Sequence, residues 1–364
     1  MAAPNAVEFD VNNDRVMIDS LTIKNFRCFR DLSVGGLKRF NILVGDSGSG
    51  KTALLEAIFL ASGANPEVYL RMRFWRGMGD GVRLTGMRSS YESLFRELFF
   101  DFNKESGANI RFSDSHAQAR SLSIRYRDDD QYVLSLKGGS KISTSSASDP
   151  ISFRWRVGEK DFNGSVQIKD GNMVFTGSQE VYPVWLISTS TPDPLPEHFS
   201  ELSKRRKHLP IVEAISEIFP AVRDLSLESV AGQLVICASV DYLDEKIPIG
   251  FVSGGINKYL WILIAIASNP GGAILIDEIE NGLYFKSLPA MLESVCRFAE
   301  LHGVQIIATT HSRELLTALA DVMESRQEHF SLLRSYREGK ECKIRVARGP
   351  SSVAAIQQDI DLRA

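Results

Sequence analysis

The stretch Phe40-Asn41-Ile42-Leu43-Val44-Gly45-Asp46-Ser47-Gly48-Ser49-Gly50-Lys51-Thr52-Ala53-Leu54-Leu55-Glu56-Ala57-Ile58-Phe59 decides the fold. It runs from an apolar segment fit for a buried strand, through a turn with three glycines, into an apolar helix. Gly45, Gly48 and Gly50 free the backbone to curl. The amides of Asp46, Ser47 and Ser49 then point into one concavity of phosphate size. The helix starting near Gly50 adds its positive dipole end. Lys51 at that start supplies a point charge for β and γ phosphates, and the Thr52 hydroxyl a ligand for magnesium. The plain alternative is an ordinary glycine-rich turn. Against it stands the order strand, turn, helix, with Lys-Thr at the helix start, so the expected ligand is a nucleoside triphosphate with Mg2+.

Two later strands end in the residues such a ligand needs. Ala273-Ile274-Leu275-Ile276 is apolar throughout and ends in Asp277-Glu278. A strand buried on both faces presents its end at the carboxyl edge of a sheet, where ligands bind in such folds. There Asp277 would hold the metal through water and Glu278 would act as general base on the attacking water. Val304-Gln305-Ile306-Ile307-Ala308 similarly leads into Thr309-Thr310-His311-Ser312, so His311 is placed to sense the γ phosphate. Ser253-Gly254-Gly255 stands before a further helix as a second anion-binding helix start. Since one phosphate loop is already present, this second one suits a nucleotide held mainly by another copy of the chain.

The alternation of strands and helices through the last third predicts helices at 256–267, 286–301 and 314–323 and strands at 273–276 and 304–308. Together these make an α/β fold with a mainly parallel sheet covered on both faces. Between residues 66 and 180 the pattern changes to a helical piece at 91–100 and short alternating segments at 119–126, 132–137, 151–157 and 166–168. Turn formers such as Gly138-Gly139-Ser140 separate the segments. That region reads as a β-rich and helical lobe inserted into a core made of 1–65 and 181–364. A strand at 21–26 opens the core, and a helix over 200–219 is expected to break at Pro210.

With 42 basic and 45 acidic residues the formal charge is -3, so there is no global basic field and any nucleic-acid contact needs a local patch. Two runs qualify: Lys204-Arg205-Arg206-Lys207-His208, and Arg71, Arg73 and Arg76 around Phe74 and Trp75. Cys28, Cys237, Cys296 and Cys342 are scattered without zinc spacing, which points to reduced thiols and a cytoplasmic location. The longest apolar run, 259–267, is too short to span a bilayer about 30 Å thick, so no membrane partner is expected.

These elements in this order resemble the ATP-binding-cassette (ABC) superfamily. The likeness is to its soluble branch of RecF, SMC-type heads and the ATPase part of OLD-family (overcoming lysogenization defect) proteins. The opening Leu21-Thr22-Ile23-Lys24-Asn25-Phe26-Arg27-Cys28-Phe29 resembles the first strand of that branch, and by that likeness Arg27 touches phosphates. Asp277-Glu278-Ile279-Glu280-Asn281-Gly282-Leu283 is similar to the OLD-like acidic motif, and Thr309-Thr310-His311-Ser312 to its switch histidine. Ile256 stands where transporter cassettes carry Gln, Tyr284 where the family often has His, and no glutamine switch loop is identified.

The resemblance implies an ABC-type P-loop ATPase head that hydrolyses ATP slowly, when two heads sandwich the nucleotide and Ser253 of one faces the phosphates on Lys51 of the other. OLD nucleases continue into a TOPRIM (topoisomerase-primase) domain. Asp359-Ile360-Asp361 echoes an acidic nuclease pair but reads as a solvated tail, since such a domain needs about 100 residues. The implied partners are a second copy of the chain and a separately encoded effector such as a TOPRIM nuclease. That arrangement is the one in anti-phage systems such as PARIS (phage anti-restriction-induced system), whose ATPase component this chain resembles. The competing expectation is a RecF-like DNA clamp; an ATPase subunit of a transporter lacks support in the soluble-type opening.

Overall fold

The computed structural model describes residues 17–76, 94–115, 118–126, 151–169, 172–178, 182–188 and 195–357. The expected segment 132–137, the turn 138–140, the Asp359-Ile360-Asp361 tail and the Phe74 and Trp75 side chains lie outside the described residues.

In chain order the strands are β1 (Ile18–Phe26), β2 (Phe29–Gly35), β3 (Phe40–Val44), β4 (Ala108–Asp114), β5 (Ala119–Tyr126), β6 (Ile151–Val157), β7 (Lys160–Lys169), β8 (Asn172–Thr176) and β9 (Val184–Ile187). They continue with β10 (Val222–Val230), β11 (Gln233–Val240), β12 (Ile247–Pro248), β13 (Ala273–Ile276), β14 (Gln305–Thr309), β15 (Phe330–Glu338) and β16 (Glu341–Arg348). The helices are α1 (Lys51–Ser62), α2 (Glu67–Trp75), α3 (Leu195–Lys204), α4 (Leu209–Ile218), α5 (Ile249–Val252), α6 (Gly254–Ser268), α7 (Leu288–His302), α8 (Arg313–Met323) and α9 (Pro350–Gln357).

A six-stranded sheet in the order β16-β15-β3-β14-β13-β9 forms the centre, parallel except for the edge strand β16. Its strands are apolar on both faces because both faces are covered. On one side Phe40, Ile42, Ile274, Ile276, Ile306 and Ala308 pack against α3, α4, α6, α7 and α8. On the other, Leu43, Leu275, Ile307 and Leu333 pack against α1. This is the α/β head with a mainly parallel core sheet that the motifs imply.

Helix α1 is itself covered by a seven-stranded antiparallel sheet, β2-β1-β4-β5-β6-β7-β8. The segment expected as an inserted lobe thus contributes strands that continue from β1, joined by the β1 to β4 ladder. It also satisfies the end of α1. The Trp155 indole donates to the Leu60 carbonyl at 3.1 Å and Arg120 Nε to that of Ala61 at 3.1 Å. Carbonyls at a helix end have no partner within the helix, so these bonds hold α1 from its far end.

Three local details refine or extend these expectations. Of the helix expected over 91–100, residues 94 and 95 are helical, and the chain then tightens into two short 3-10 turns, Arg96–Leu98 and Phe100–Phe102, with Asp101 and Phe102 at φ 49° and 58°. The break expected at Pro210 is present but falls just before it: Leu195–Lys204 and Leu209–Ile218 are separate helices, and Pro210 sits in the first turn of the second, where its missing amide costs nothing. The β15 to β16 hairpin has no counterpart in the sequence reading, although Gly339 at φ 59° marks its turn.

Candidate functional site

The glycine-rich turn leaves β3 and enters α1 with Gly45 at φ 143°, Gly48 at φ 76° and Gly50 at φ 100°. A side chain at Gly45 would lie 2.0 Å from the Ser335 carbonyl, and one at Gly50 2.8 Å from Cys28 Sγ, so glycine is required at both. The loop is braced from below by the β15 to β16 hairpin. Ser335 Oγ donates to the Ser49 carbonyl at 2.6 Å and Arg337 Nη2 to that of Gly48 at 2.7 Å. The Cys342 amide donates to the Cys28 carbonyl at 2.9 Å, and a hydrogen bond between the two free thiols lowers the pKa of Cys342.

A cavity of about 370 Å³ lies over this loop, and its lining includes Arg27, Cys28, Ser47, Gly48, Gly50, Lys51, Thr52, Arg76, Asp277, Glu278 and His311. The structure therefore brings the predicted Lys51, Thr52, Asp277, Glu278, His311 and Arg27 together from four separate parts of the chain. Lys51 curls back and donates from Nζ to the carbonyls of Gly45 at 2.7 Å and Asp46 at 2.8 Å. Burial lowers its pKa, against the opposing pull of Asp277, Asp46 and Glu278. A lysine held by neutral carbonyls can be drawn onto a phosphate, which offers full charge.

Thr52 Oγ1 donates to Asp277 Oδ2 at 3.0 Å. A hydroxyl and a carboxylate facing each other beside a phosphate loop are the oxygen donors magnesium prefers, so the residues fit that ion. Thr309, fully buried at the end of β14, donates from Oγ1 to Asp277 Oδ1 at 2.7 Å and accepts from the Glu278 amide at 2.8 Å. One hydroxyl thereby fixes both acidic residues. Glu278 takes a left-handed backbone at φ 49°, uncommon for its type, and its carboxylate is held by Asn281 Nδ2. Glu280 Oε1 accepts from the amides of His311 at 2.7 Å and Ser312 at 3.0 Å, tying the histidine turn to the acidic loop.

Several of these residues escaped the sequence reading. Glu56 on α1 is buried at 3% exposure and pairs with Arg27 at 2.9 Å and Arg76 at 2.5 Å. Arg73 pairs with Glu97 at 2.6 Å and Arg71 with Glu67 at 3.1 Å. Each of the three arginines read as a candidate nucleic-acid patch thus has a carboxylate partner within the fold, with Arg76 sharing Glu56 with Arg27. Lys204 pairs with Glu201, while Arg205 and Arg206 stay exposed.

Ser253 caps α6, its Oγ accepting from the Gly255 amide at 3.3 Å. Neither it nor Gly254 nor Gly255 lines the cavity over Lys51. Gly255 lies against the acidic loop, since a Cβ there would sit 2.9 Å from the Gly282 carbonyl. Gly254 is exposed, and beside this helix start Phe251 is 80% exposed, Tyr284 54% and Phe285 57%. Among the described residues no helix is long and apolar enough to cross a membrane.

Residues 17–207 match the family model described as AAA ATPase domain, and residues 239–317 that of the AAA domain described as putative AbiEii toxin, Type IV TA system. The chain is similar to an "ATP/GTP phosphatase" of Helicobacter pylori, 23% identical over 350 residues, 85% of this chain and 89% of that protein. A stretch of 45 residues is 44% identical to the DNA replication and repair protein RecF of Idiomarina loihiensis, 12% of this chain and 13% of that one. Among solved structures the SMC head domain from Thermotoga maritima aligns with a TM-score of 0.47 and 13% identity over 91% of this chain and 99% of that one.

Proposed function

The chain belongs to the AAA ATPase domain family, and on that footing we propose that it is an ATP-hydrolysing switch, assembling through composite nucleotide sites and controlling a partner effector. The observation that carries the reading is the separation of two anion-binding helix starts. One, at Lys51, lines the cavity shared with the acidic pair and His311. The other, at Ser253, lies outside that cavity, with Gly254 and neighbouring aromatic rings turned to solvent. An exposed aromatic patch around an anion site suits a surface that closes on a second copy. In the same proposal, 1–65 and 181–364 are the ATPase core and 66–180 the part that receives the signal.

In this reading the backbone amides of 46–50 cradle the triphosphate, Lys51 leaves the carbonyls of Gly45 and Asp46 for the β and γ phosphates, and Arg27 adds charge from the side. Thr52 and Asp277 would hold Mg2+, which supplies charge neutralisation of the phosphates when bound. Glu278 orients a water and takes its proton, held for that by Asn281 and by Thr309 through its amide. His311 contacts the γ phosphate, so its loss on hydrolysis is felt through Glu280. Alignment of water and phosphate only in the closed assembly makes turnover slow. The effector fits a separately encoded nuclease in anti-phage defence, the role for which the resemblance to OLD-like ATPases speaks.

Glu278→Gln tests the assignment of the base: it should bind ATP, stop turnover and trap the closed assembly. Normal turnover by this variant would remove Glu278 from the role. A DNA clamp is the second reading, favoured by the RecF-like stretch of 45 residues. Duplex binding that needs ATP and weakens with salt would favour it, whereas co-purification with a neighbouring gene product would favour the switch.

A further inference from the structure

Two groups of opposite charge lie buried between the Ser253 helix start and the acidic loop, each lacking a hydrogen-bond partner: Lys258 Nζ and Glu280 Oε2. Lys258 lies in the second turn of α6, five residues beyond Ser253. Burial lowers its pKa, and the charges it feels in opposition are those of Asp277, Glu280 and Glu278. A buried ammonium without a partner is costly, and so is a carboxylate oxygen left open. The backbone brings the two elements together where Gly255 meets the Gly282 carbonyl.

The other oxygen of Glu280 is occupied. Oε1 accepts from the amides of His311 and Ser312, so this carboxylate already positions the turn that carries the histidine. Glu280 thus has one oxygen on the own-site histidine turn and one open oxygen in the same acidic loop that Lys258 feels. We propose that Lys258 is a positioning residue for hydrolysis. When a partner's phosphates seat on the Ser253 end of α6, its ammonium engages Glu280 Oε2, setting the His311 turn and the adjoining Glu278 for the nucleotide on Lys51. Occupancy of one composite site is thereby transmitted to the other site of the same chain. The inference rests on the assembling ATPase proposed above.

The test is a cycle of Lys258→Met, Glu280→Gln and the double variant in the full chain. It reads ATP affinity with a fluorescent ATP analogue and phosphate release at saturating ATP. Glu280→Gln is informative because glutamine still accepts from His311 and Ser312 and removes only the charge that answers Lys258. Each single variant should bind the analogue within about twofold of the wild type and lose about 10-fold in turnover, the size of loss seen when a residue that orients a site's ligands is removed. The double variant should lose no more than either single one, and Lys258→Arg should restore most of the rate. Melting of Lys258→Met should stay at or above the wild type, since an unpartnered buried charge has been removed.

Full turnover by Lys258→Met overturns the inference, as does a double variant whose loss equals the product of the single losses. Lowered melting with unchanged turnover assigns the lysine to packing alone and overturns it as well. If the wild-type chain itself releases no phosphate, the ATPase reading fails; wild-type turnover with an unaffected Lys258→Met fails only the relay.

Discussion

Replacing Glu56 by alanine should separate the stability of this site from its affinity for phosphate. Glu56 is 3% exposed and is the shared anion of Arg27, itself 11% exposed, and of the half-open Arg76. Removing it leaves the Arg27 guanidinium buried and unpaired, a change that costs about 3–5 kcal/mol. At roughly 2 cal/mol/K of unfolding entropy per residue over the 364 residues, that is a fall in melting temperature of about 4–7 °C. Both arginines line the cavity over Lys51, so a bound triphosphate supplies the negative charge that was removed. Magnesium ATP should therefore raise the melting temperature of Glu56→Ala by more than it raises that of the wild type. Glu56→Gln, which keeps an acceptor without the charge, should fall between them. The assay is thermal unfolding with and without nucleotide at low and moderate salt. A Glu56→Ala chain melting within about 1 °C of the wild type, or gaining no more from ATP, would refute the reasoning.

Three further outcomes follow from the same geometry. Thr309→Val removes the hydroxyl that fixes both Asp277 and Glu278, so turnover should drop about 10–100-fold while ATP affinity, measured by calorimetry, changes far less. Gly50→Ala puts a methyl 2.8 Å from Cys28 Sγ on a residue at φ 100°; nucleotide binding should be lost, and retention of wild-type affinity would show that the loop tolerates another shape. Burial lowers the pKa of His302 and of His198, so both resist protonation in the folded chain. Their contribution to stability is complete above the ordinary histidine value of about 6.5 and is lost as pH falls toward their depressed values. Melting curves between pH 8 and 5 should show this loss, reduced in His302→Gln.

The parallel core was legible because its strands are uninterrupted apolar runs ending in chemically distinctive residues: Val44 before Gly45, Ile276 before Asp277, Ala308 before Thr309. Strand β13 has the boundaries its composition predicts, 273–276. What stayed hidden depends on contacts distant in sequence. Glu56 reads as one polar residue on an apolar helix, and only the fold brings Arg27 and Arg76 to it from either side. Ser335 and Arg337 brace the phosphate loop across more than 280 positions. Their hairpin was missed although Glu338-Gly339-Lys340-Glu341 supplies a turn between alternating segments. The helical piece expected over 91–100 stays helical at 94–95 and then tightens into 3-10 turns, and two left-handed residues, Asp101 and Phe102, close the segment, a change of backbone that side-chain pattern does not announce.

The central claim is that hydrolysis needs Lys51 of one copy and Ser253 of another. Phosphate release by an equal mixture of Lys51→Ala and Ser253→Arg chains tests it most directly. Each variant alone should be inactive. In a two-fold dimer, mixing restores intact composite sites to about one quarter of the total, one in each mixed pair, and the chain that supplies Lys51 there has lost the Ser253 end that drives the relay through Lys258; activity should therefore rise clearly above that of either variant alone, to at most about one quarter of the wild type. A mixture as inactive as its components, together with wild-type turnover per chain that does not change with protein concentration, would contradict the account.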